Sequence, residues 1–286
     1  MKIYMDGKFV NKEDAKVSVY DHGLLYGDGV FEGIRAYEGV VFKLTEHVDR
    51  LYESAASLDI KIDISREEMS KVVIETLKVN KLNDAYIRLV VTRGVGDLGL
   101  DPRKCSKPTI FCIAEPMNPL LGDQGIKTIV SGIRRLPVDV LNPAVKSLNY
   151  LNSILAKIQA NAAGVHEAFL LDKNGYVAEG TGDNVFVVKK GVIRTPPVST
   201  SVLRGITRDT AIELAKEAGY TILEENLTIH DLYTADELFI TGTAAELIHV
   251  VEIDGRIINN GEAGEITKDL LNRFIQIRGK IGDKIE

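Results

Sequence analysis

The sequence predicts an α+β protein with two domains, on three observations. The chain has 286 residues, enough for two domains of ordinary size. Segments rich in β-branched residues predict strands, and segments with apolar residues at i, i+3, i+4 and i+7 predict helices. Residues 115–122 contain Pro116, Pro119 and Gly122, a composition typical of an inter-domain connection. We therefore expect a small N-terminal domain at 1–116, a connection at 117–123 and a larger domain at 124–286.

The N-terminal domain is predicted to combine short hairpins with two amphipathic helices. Asp6-Gly7 suits the positive φ angles of a tight turn between two short strands. Thr45 is predicted to cap the first helix, whose Val48 and Leu51 face the core. The predicted elements are strands at 3–5, 8–10, 30–37, 40–43, 85–92 and 109–114, and helices at 45–58 and 66–80.

The C-terminal domain is predicted to contain a mixed or antiparallel sheet, because most of its strands follow one another in quick succession. Gly164 and Gly219 stand where a left-handed residue commonly ends a helix. Leu151, Leu155 and Ile158 are expected on one apolar side of its first helix. The predicted strands are 126–133, 167–171, 176–179, 184–189, 192–195, 221–227, 237–241 and 248–253, and the helices are 147–163, 208–218 and 265–276.

Composition excludes several classes of function. The net charge of −6 argues against a nucleic-acid or anionic-membrane surface, which would show a basic excess. Cys105 and Cys112 lack a C-x-x-C spacing, so we interpret them as incidental thiols and predict no metal site. The chain shows no apolar signal segment at its start and no apolar run of about 18 residues. We therefore expect a soluble, cytoplasmic protein.

Two segments could bind an anion, although each also has an ordinary structural explanation, and a third only resembles a phosphate-binding loop. Thr207 is a good N-cap for a helix, and helix N-termini suit phosphate, although most of them bind nothing. Gly242 and Thr243 begin a turn of small residues, which either admits a ligand to the backbone or simply closes a tight turn. The glycines from Gly27 to Gly33 read G-x-G-x-x-x-G and lead into a strand, so they do not predict a dinucleotide site.

Four residues are candidates for chemistry or substrate binding. Lys146 could attack a carbonyl if it is desolvated, although most lysines are exposed. Glu179 ends a strand and is either buried against a cation or solvated. Tyr86 and Arg88 share one face of a strand, which is either surface or the wall of an anion-binding cavity. These residues alone leave each alternative open.

The order of the motifs is more specific than any one of them. The motifs are, in order, HGLLYGDGVFEGIR (22–35), EHVDRL (46–51), KSLNYL (146–151), EGTGDN (179–184), LRGITR (203–208) and GTAAE (242–246). The series resembles the fold-type IV enzymes that use pyridoxal 5′-phosphate (PLP), and most closely the branched-chain amino acid aminotransferases, over residues 3–275. The resemblance implies a small N-terminal α/β sandwich domain and a larger C-terminal pseudo-barrel domain.

The resemblance implies a role for each cofactor-binding residue. Lys146 would form a Schiff base with PLP and carry a proton between the substrate Cα and the cofactor C4′. Glu179 would face the pyridine nitrogen, and Tyr150 would hydrogen-bond the cofactor O3′. The residues expected around the phosphate and the rest of the cofactor are Arg50, Leu203, Ile206, Thr207 and Thr243.

The resemblance also implies the substrates. The N–H groups of Thr243 and Ala244 would bind the α-carboxylate, and Arg88 would bind the distal carboxylate of glutamate or 2-oxoglutarate. The pocket that accepts Leu, Ile or Val would be shaped by Tyr26, Phe31, Gly33 and Tyr86. A homodimer or larger homo-oligomer is expected. The alternatives are a D-amino acid aminotransferase and an aminodeoxychorismate lyase on the same fold.

Overall fold

The computed structural model describes residues 1–117 and 124–285. By its internal contacts the chain divides into two compact units. The first unit comprises Met1–Met117, Val145–Asn149 and the C-terminal segment that begins at Arg278. The second comprises the described part of Asn118–Ala144 together with Tyr150–Ile277. Of the predicted connection at 117–123, all but Met117 lies outside the described residues.

The elements confirm the α+β class. The strands are β1 Lys2–Met5, β2 Lys8–Asn11, β3 Gly29–Tyr37, β4 Val40–Phe42, β5 Ala85–Thr92, β6 Thr109–Glu115, β7 Ile126–Arg134, β8 Glu167–Leu171, β9 Val177–Glu179, β10 Asn184–Lys189, β11 Val192–Thr195, β12 Ile222–Glu224, β13 Glu237–Gly242, β14 Glu246–Ile253, β15 Arg256–Ile257 and β16 Gly282–Lys284. The helices are α1 His22–Tyr26, α2 Leu44–Ser57, α3 Arg66–Asn80, α4 Leu151–Ala162, α5 Ile206–Glu217, α6 Ile229–Tyr233 and α7 Glu265–Arg278.

The first unit is built on an antiparallel sheet of seven strands in the order β16-β4-β3-β5-β6-β1-β2. Helices α2 and α3 contact this sheet and bury their apolar sides. Ile34 and Ile87 on the sheet are fully buried with Leu51 and Leu77 on the helices. The Ser65–Glu68 capping box fixes the start of α3 by satisfying the first free N–H groups.

The second unit contains a mixed sheet of nine strands. Its order is β12-β11-β10-β13-β14-β7-β8-β9, and β15 pairs with β14. Strand β7 runs parallel to both β14 and β8, and β11 runs parallel to β12. Phe186 and Phe239 stack on adjacent strands with ring centroids 4.8 Å apart, and both residues are fully buried. Within the described ranges, no helix combines the length and apolar character needed to span a bilayer.

Helix α4 starts later than predicted. The predicted start near Ser147 is wrong, because Ser147 instead forms an antiparallel bridge with Val30. Leu151, Leu155 and Ile158 lie on one side of the helix as expected, and that side is exposed, at 67%, 43% and 55%. The side that α4 buries carries small residues such as Ala156, which allow close packing on β7 and β8.

Two predicted helix caps are also wrong. Lys43 precedes α2 with a φ of 46°, and Thr45 lies inside the first turn. Gly205 precedes α5 in extended conformation, and Thr207 is the second helical residue. In both cases the helix begins before the threonine. The threonine hydroxyl therefore cannot accept a hydrogen bond from the first free N–H groups, as the side chain of an N-cap residue does.

Candidate active site

Lys146 lies in a segment that runs antiparallel beside the start of β3. Its carbonyl accepts a hydrogen bond from the Phe31 N–H at 3.0 Å, and its own N–H donates to Ser54 Oγ at 3.1 Å. Its Nζ lies 4.7 Å from the centroid of the Phe31 ring. The backbone of Lys146 is therefore fixed on both sides, and its amine rests on an aromatic ring.

Arg88 approaches the same ring from β5. Its guanidinium carbon is 4.6 Å from the Phe31 centroid, and its NH2 donates to the Tyr86 hydroxyl at 2.8 Å. A Cβ built on Gly33 would overlap that hydroxyl, so a larger residue at this position would displace the Tyr86 side chain. The structure thus brings five of the predicted residues together around one aromatic ring, with two cations that the ring attracts electrostatically.

Tyr26 takes a different contact. It lies on α1, and its hydroxyl donates to the Leu98 carbonyl at 2.6 Å. Its ring meets His22 edge-to-face, with centroids 5.1 Å apart. Tyr26 therefore holds the segment around Leu98. It has none of the contacts with Phe31 or Arg88 given above for Lys146 and Tyr86.

Arg50 pairs with a buried carboxylate. Its Nε and NH2 donate to the two oxygens of Glu32 at 2.8 and 2.7 Å, the two-pronged geometry of a strong ion pair. His47 Nδ1 also lies 2.7 Å from Glu32 Oε2. Glu32 is completely buried, so both partners are needed to offset the cost of removing its charge from water.

The pKa values of this cluster identify its charges. Burial raises the pKa of Glu32, but the charge and hydrogen bonds of Arg50 and the bond from His47 outweigh it and lower the pKa to about 2. Burial lowers the pKa of His47, and its contact with Glu32 only partly opposes this. The cluster is thus a carboxylate, a guanidinium and a neutral imidazole whose Nδ1–H donates to Glu32.

Glu179 ends β9 and is buried with a cationic partner, which decides between the two alternatives left open by the sequence. Its Oε1 forms an ion pair with Arg135 Nε at 2.7 Å. Its Oε2 accepts the N–H of Leu203 at 2.9 Å and lies 3.4 Å from Asn184 Nδ2. The carboxylate is therefore held by one charge and by two neutral donors.

The N-terminus of α5 has no side-chain cap. Gly205 precedes the helix, so the first N–H groups, at Ile206 and Thr207, have neither an intrahelical partner nor a capping side chain. Opposite Asn184 in the sheet register, Thr241 is fully buried. Its hydroxyl has no hydrogen-bond partner in the described part of the chain. An uncapped helix end with a positive dipole is suited to an anion.

The two remaining groups of predicted residues lie at turns. Thr243 and Ala244 are half-buried in the turn that joins β13 to β14, where Gly242 pairs with Glu246. Tyr150 is the residue immediately before α4, and it is also half-buried. The structure thus places each of these predicted residues at the end of a regular element, where backbone groups are accessible.

Comparison with known proteins assigns the family. The model of the family described as "Amino-transferase class IV" matches residues 29–253, most of the chain. This chain belongs to the class IV aminotransferases. Its fold is fold-type IV, and the resemblance to the branched-chain group is confirmed by relatives across the whole length.

Three proteins illustrate the similarity of this class IV aminotransferase to others. A Methanocaldococcus jannaschii protein, provisionally named a branched-chain-amino-acid aminotransferase, is 72% identical over 100% of this chain and 99% of its own. The Salmonella typhimurium branched-chain-amino-acid aminotransferase is 40% identical over 99% of this chain and 94% of its own. The structure of the Escherichia coli branched-chain amino acid aminotransferase has a TM-score of 0.95 at 38% identity, covering 99% of this chain and 96% of that one.

Sequence reasoning missed four residues of this class IV aminotransferase. Glu32, His47 and Asn184 lie inside the motifs used for the resemblance, but no role was predicted for them. Arg135 lies in the irregular stretch before Lys146. A signal existed for Glu32: it lies between Phe31 and Ile34 inside the predicted strand 30–37, and a carboxylate buried in such a strand requires a cation.

Proposed function

We propose that this aminotransferase transfers the amino group between the branched-chain L-amino acids Leu, Ile and Val and 2-oxoglutarate, with PLP held as a Schiff base on Lys146. The contact of Lys146 and Arg88 with one Phe31 ring is the observation that carries this proposal. An amine, an apolar ring and a guanidinium thus lie side by side. In the proposed function the guanidinium would bind the distal carboxylate of glutamate, and the ring would contact the side chain of leucine.

Known ligands of a relative support the same substrates. One branched-chain amino acid aminotransferase of similar structure has been solved with N-(5′-phosphopyridoxyl)-L-glutamate and with 4-methylvaleric acid. The same enzyme also has a structure with pyridoxamine 5′-phosphate. A single enzyme of this family therefore binds a glutamate derivative of the cofactor and a branched apolar acid. We extend this dual recognition to the present chain.

The side chains present fit PLP. Lys146 offers the amine, Glu179 a carboxylate for the ring nitrogen, and the N–H groups of Ile206 and Thr207 an anion site at an uncapped helix end. The orphaned Thr241 hydroxyl marks a buried polar position that lacks a partner among the described residues. When bound, PLP supplies an electron sink that stabilises a carbanion at the substrate Cα.

The other cofactor contacts follow the predicted roles. We propose that Arg50, fixed by Glu32, binds the phosphate with Thr207 and Thr243, and that Tyr150 donates to the O3′ oxygen. Leu203 acts through its backbone, whose N–H holds Glu179. The amine of Lys146 would carry the proton between the substrate Cα and the cofactor C4′, acting as a general acid and base from within hydrogen-bond distance.

Substrate recognition is divided between backbone and side chains. We propose that the N–H groups of Thr243 and Ala244 bind the α-carboxylate. Phe31, Tyr86 and Tyr26 form apolar walls, and Gly33 leaves the space that the Tyr86 hydroxyl occupies. We further propose a homodimer or larger homo-oligomer, which the exposed Leu151, Leu155 and Ile158 on α4 support.

An absorption spectrum and an amino-donor assay test the proposed function. The purified protein should take up PLP and show the visible-edge absorption of a lysine Schiff base. With 2-oxoglutarate it should form glutamate from L-Leu, L-Ile and L-Val. Glutamate formation from D-Ala but not from the L-amino acids would instead identify a D-amino acid aminotransferase. Pyruvate release from aminodeoxychorismate would identify a lyase, and a protein that takes up no PLP would refute the proposal.

Replacing Arg88 by alanine should separate the two classes of substrate. We expect kcat/KM for 2-oxoglutarate to fall about 30- to 150-fold, since a charged hydrogen bond to a carboxylate contributes roughly 2–3 kcal/mol. The value for 2-oxoisocaproate should change far less, because that substrate has no distal carboxylate. Steady-state kinetics with both acceptors measure the difference. Arg103→Ala, at an exposed arginine, is the control, and equal losses with both substrates would show that Arg88 does not bind the distal carboxylate.

A further inference from the structure

Asn184 occupies a central position in the second unit, at the start of β10. Its side chain is 94% buried, since only 6% of the residue is exposed. Its Nδ2 donates to the Leu203 carbonyl at 2.9 Å and lies 3.4 Å from Glu179 Oε2. The Leu203 N–H donates to that same Oε2 at 2.9 Å. These bonds close a ring of three residues, in which the amide joins the carboxylate to the segment that leads into α5.

The other end of the same amide contacts Gly205. A Cβ built on Gly205 would overlap Asn184 Oδ1, and Gly205 is the residue immediately before α5. Its φ of −72° is open to any residue, so glycine is favoured here by the close approach of Asn184 and not by its backbone conformation. One side chain therefore contacts both the Glu179 carboxylate and the residue that precedes α5.

We propose that Asn184 is a positioning residue that holds the Glu179 carboxylate and the first turn of α5 in one geometry. This inference rests on the proposed function, in which Glu179 meets the cofactor ring and α5 meets its phosphate. The consequence is that affinity for the cofactor and the electronic state of its ring depend on the same amide. A substitution at Asn184 and a substitution at Gly205 should therefore have the same two effects, a weaker affinity for PLP and a changed absorption spectrum of bound PLP.

Asn184→Ala and Gly205→Ala test this proposal from the two sides. The first removes the amide, and the second pushes it away from its partners. For both we expect the Kd for PLP to rise about tenfold, the effect of losing one to two hydrogen bonds, and the absorption spectrum of bound PLP to change. Gly132→Ala is the matched control, because a Cβ there meets only the end of Gln159 at 3.7 Å. Kd follows from titration of the apoprotein with PLP.

A double variant shows whether Asn184 acts through Glu179. In a Glu179→Gln background, the spectral change caused by Asn184→Ala should be lost, because coupled residues have non-additive effects. A spectral change that persists there, or single variants with the Kd and spectrum of the wild type, would overturn the positioning role. If Asn184→Ala does not fold, as judged by circular dichroism, the Kd for PLP and the spectrum of Gly205→Ala test the positioning role alone. Failure of the wild type to bind PLP would instead refute the proposed function itself.

Discussion

Replacing Lys146 by arginine is expected to abolish transamination although the positive charge over Phe31 is retained. A guanidinium keeps its proton at all accessible pH values and does not form a Schiff base. It also cannot move a proton to and from the substrate Cα. We expect kcat to fall by about 10⁴-fold or more, the upper end of what one general acid–base group contributes. Lys146→Ala should give the same loss, since the charge is not the essential feature.

The measurements are glutamate production and the absorption of the protein after incubation with PLP. Both Lys146 variants should lack the Schiff-base band, and PLP should be removed from them by simple dialysis. Lys104→Ala, at an exposed lysine of the first unit, should keep the activity and the band. Retention of substantial activity by Lys146→Arg would mean that another group supplies the amine.

Local structure was largely predictable because it depends on short-range rules. Asp6-Gly7 has the positive φ angles of its turn, at 46° and 90°, and Gly164 ends α4 with a φ of 69°. The starts of α2 and α5 were not predictable from Thr45 and Thr207. The residues that actually precede these helices are Lys43 and Gly205, and neither offers a capping side chain. The residue that precedes α5, Gly205, lies against Asn184, which is 21 positions earlier in the chain, and a short-range rule does not report such a contact.

The candidate site was predictable as a set of motifs but not as a set of contacts. The sequence alone could not choose between a buried and a solvated Glu179, because its partner Arg135 is 44 residues away on another segment. For Arg50, the resemblance implied a position near the cofactor phosphate. In the structure the anion that Arg50 contacts is Glu32, on a neighbouring strand. Such pairings depend on tertiary packing, which periodicity does not report.

The Glu32 cluster also has a role in stability, because a buried charge without its partner is costly. Glu32 has a pKa near 2 in the folded protein and an ordinary value of 4.5. Between these values the unfolded chain binds more protons than the folded one, so stability falls as the pH falls. The contribution is complete above about pH 4.5 and lost near pH 2. A shift of this size corresponds to roughly 3 kcal/mol.

We therefore expect Glu32→Gln to lower the free energy of unfolding at pH 7 by about 3–5 kcal/mol, the cost of breaking a buried ion pair from one side. The amide is close to the carboxylate in shape but is neutral, and its NH2 group would face the donors of Arg50 or His47. Urea unfolding followed by circular dichroism measures the loss. Glu115→Gln, in an exposed pair with Lys12, is the control and should cost less than about 1 kcal/mol.

The pH dependence of this loss distinguishes the ion pair from a packing defect. As the pH falls below about 4.5, Glu32 of the wild type takes up a proton on unfolding, and the advantage of its charge declines. The difference in stability between the wild type and Glu32→Gln should therefore shrink steadily towards acid pH. A defect in packing would leave the difference constant. A constant difference, or a loss at pH 7 no larger than that of Glu115→Gln, would show that the buried charge is not what holds the cluster together.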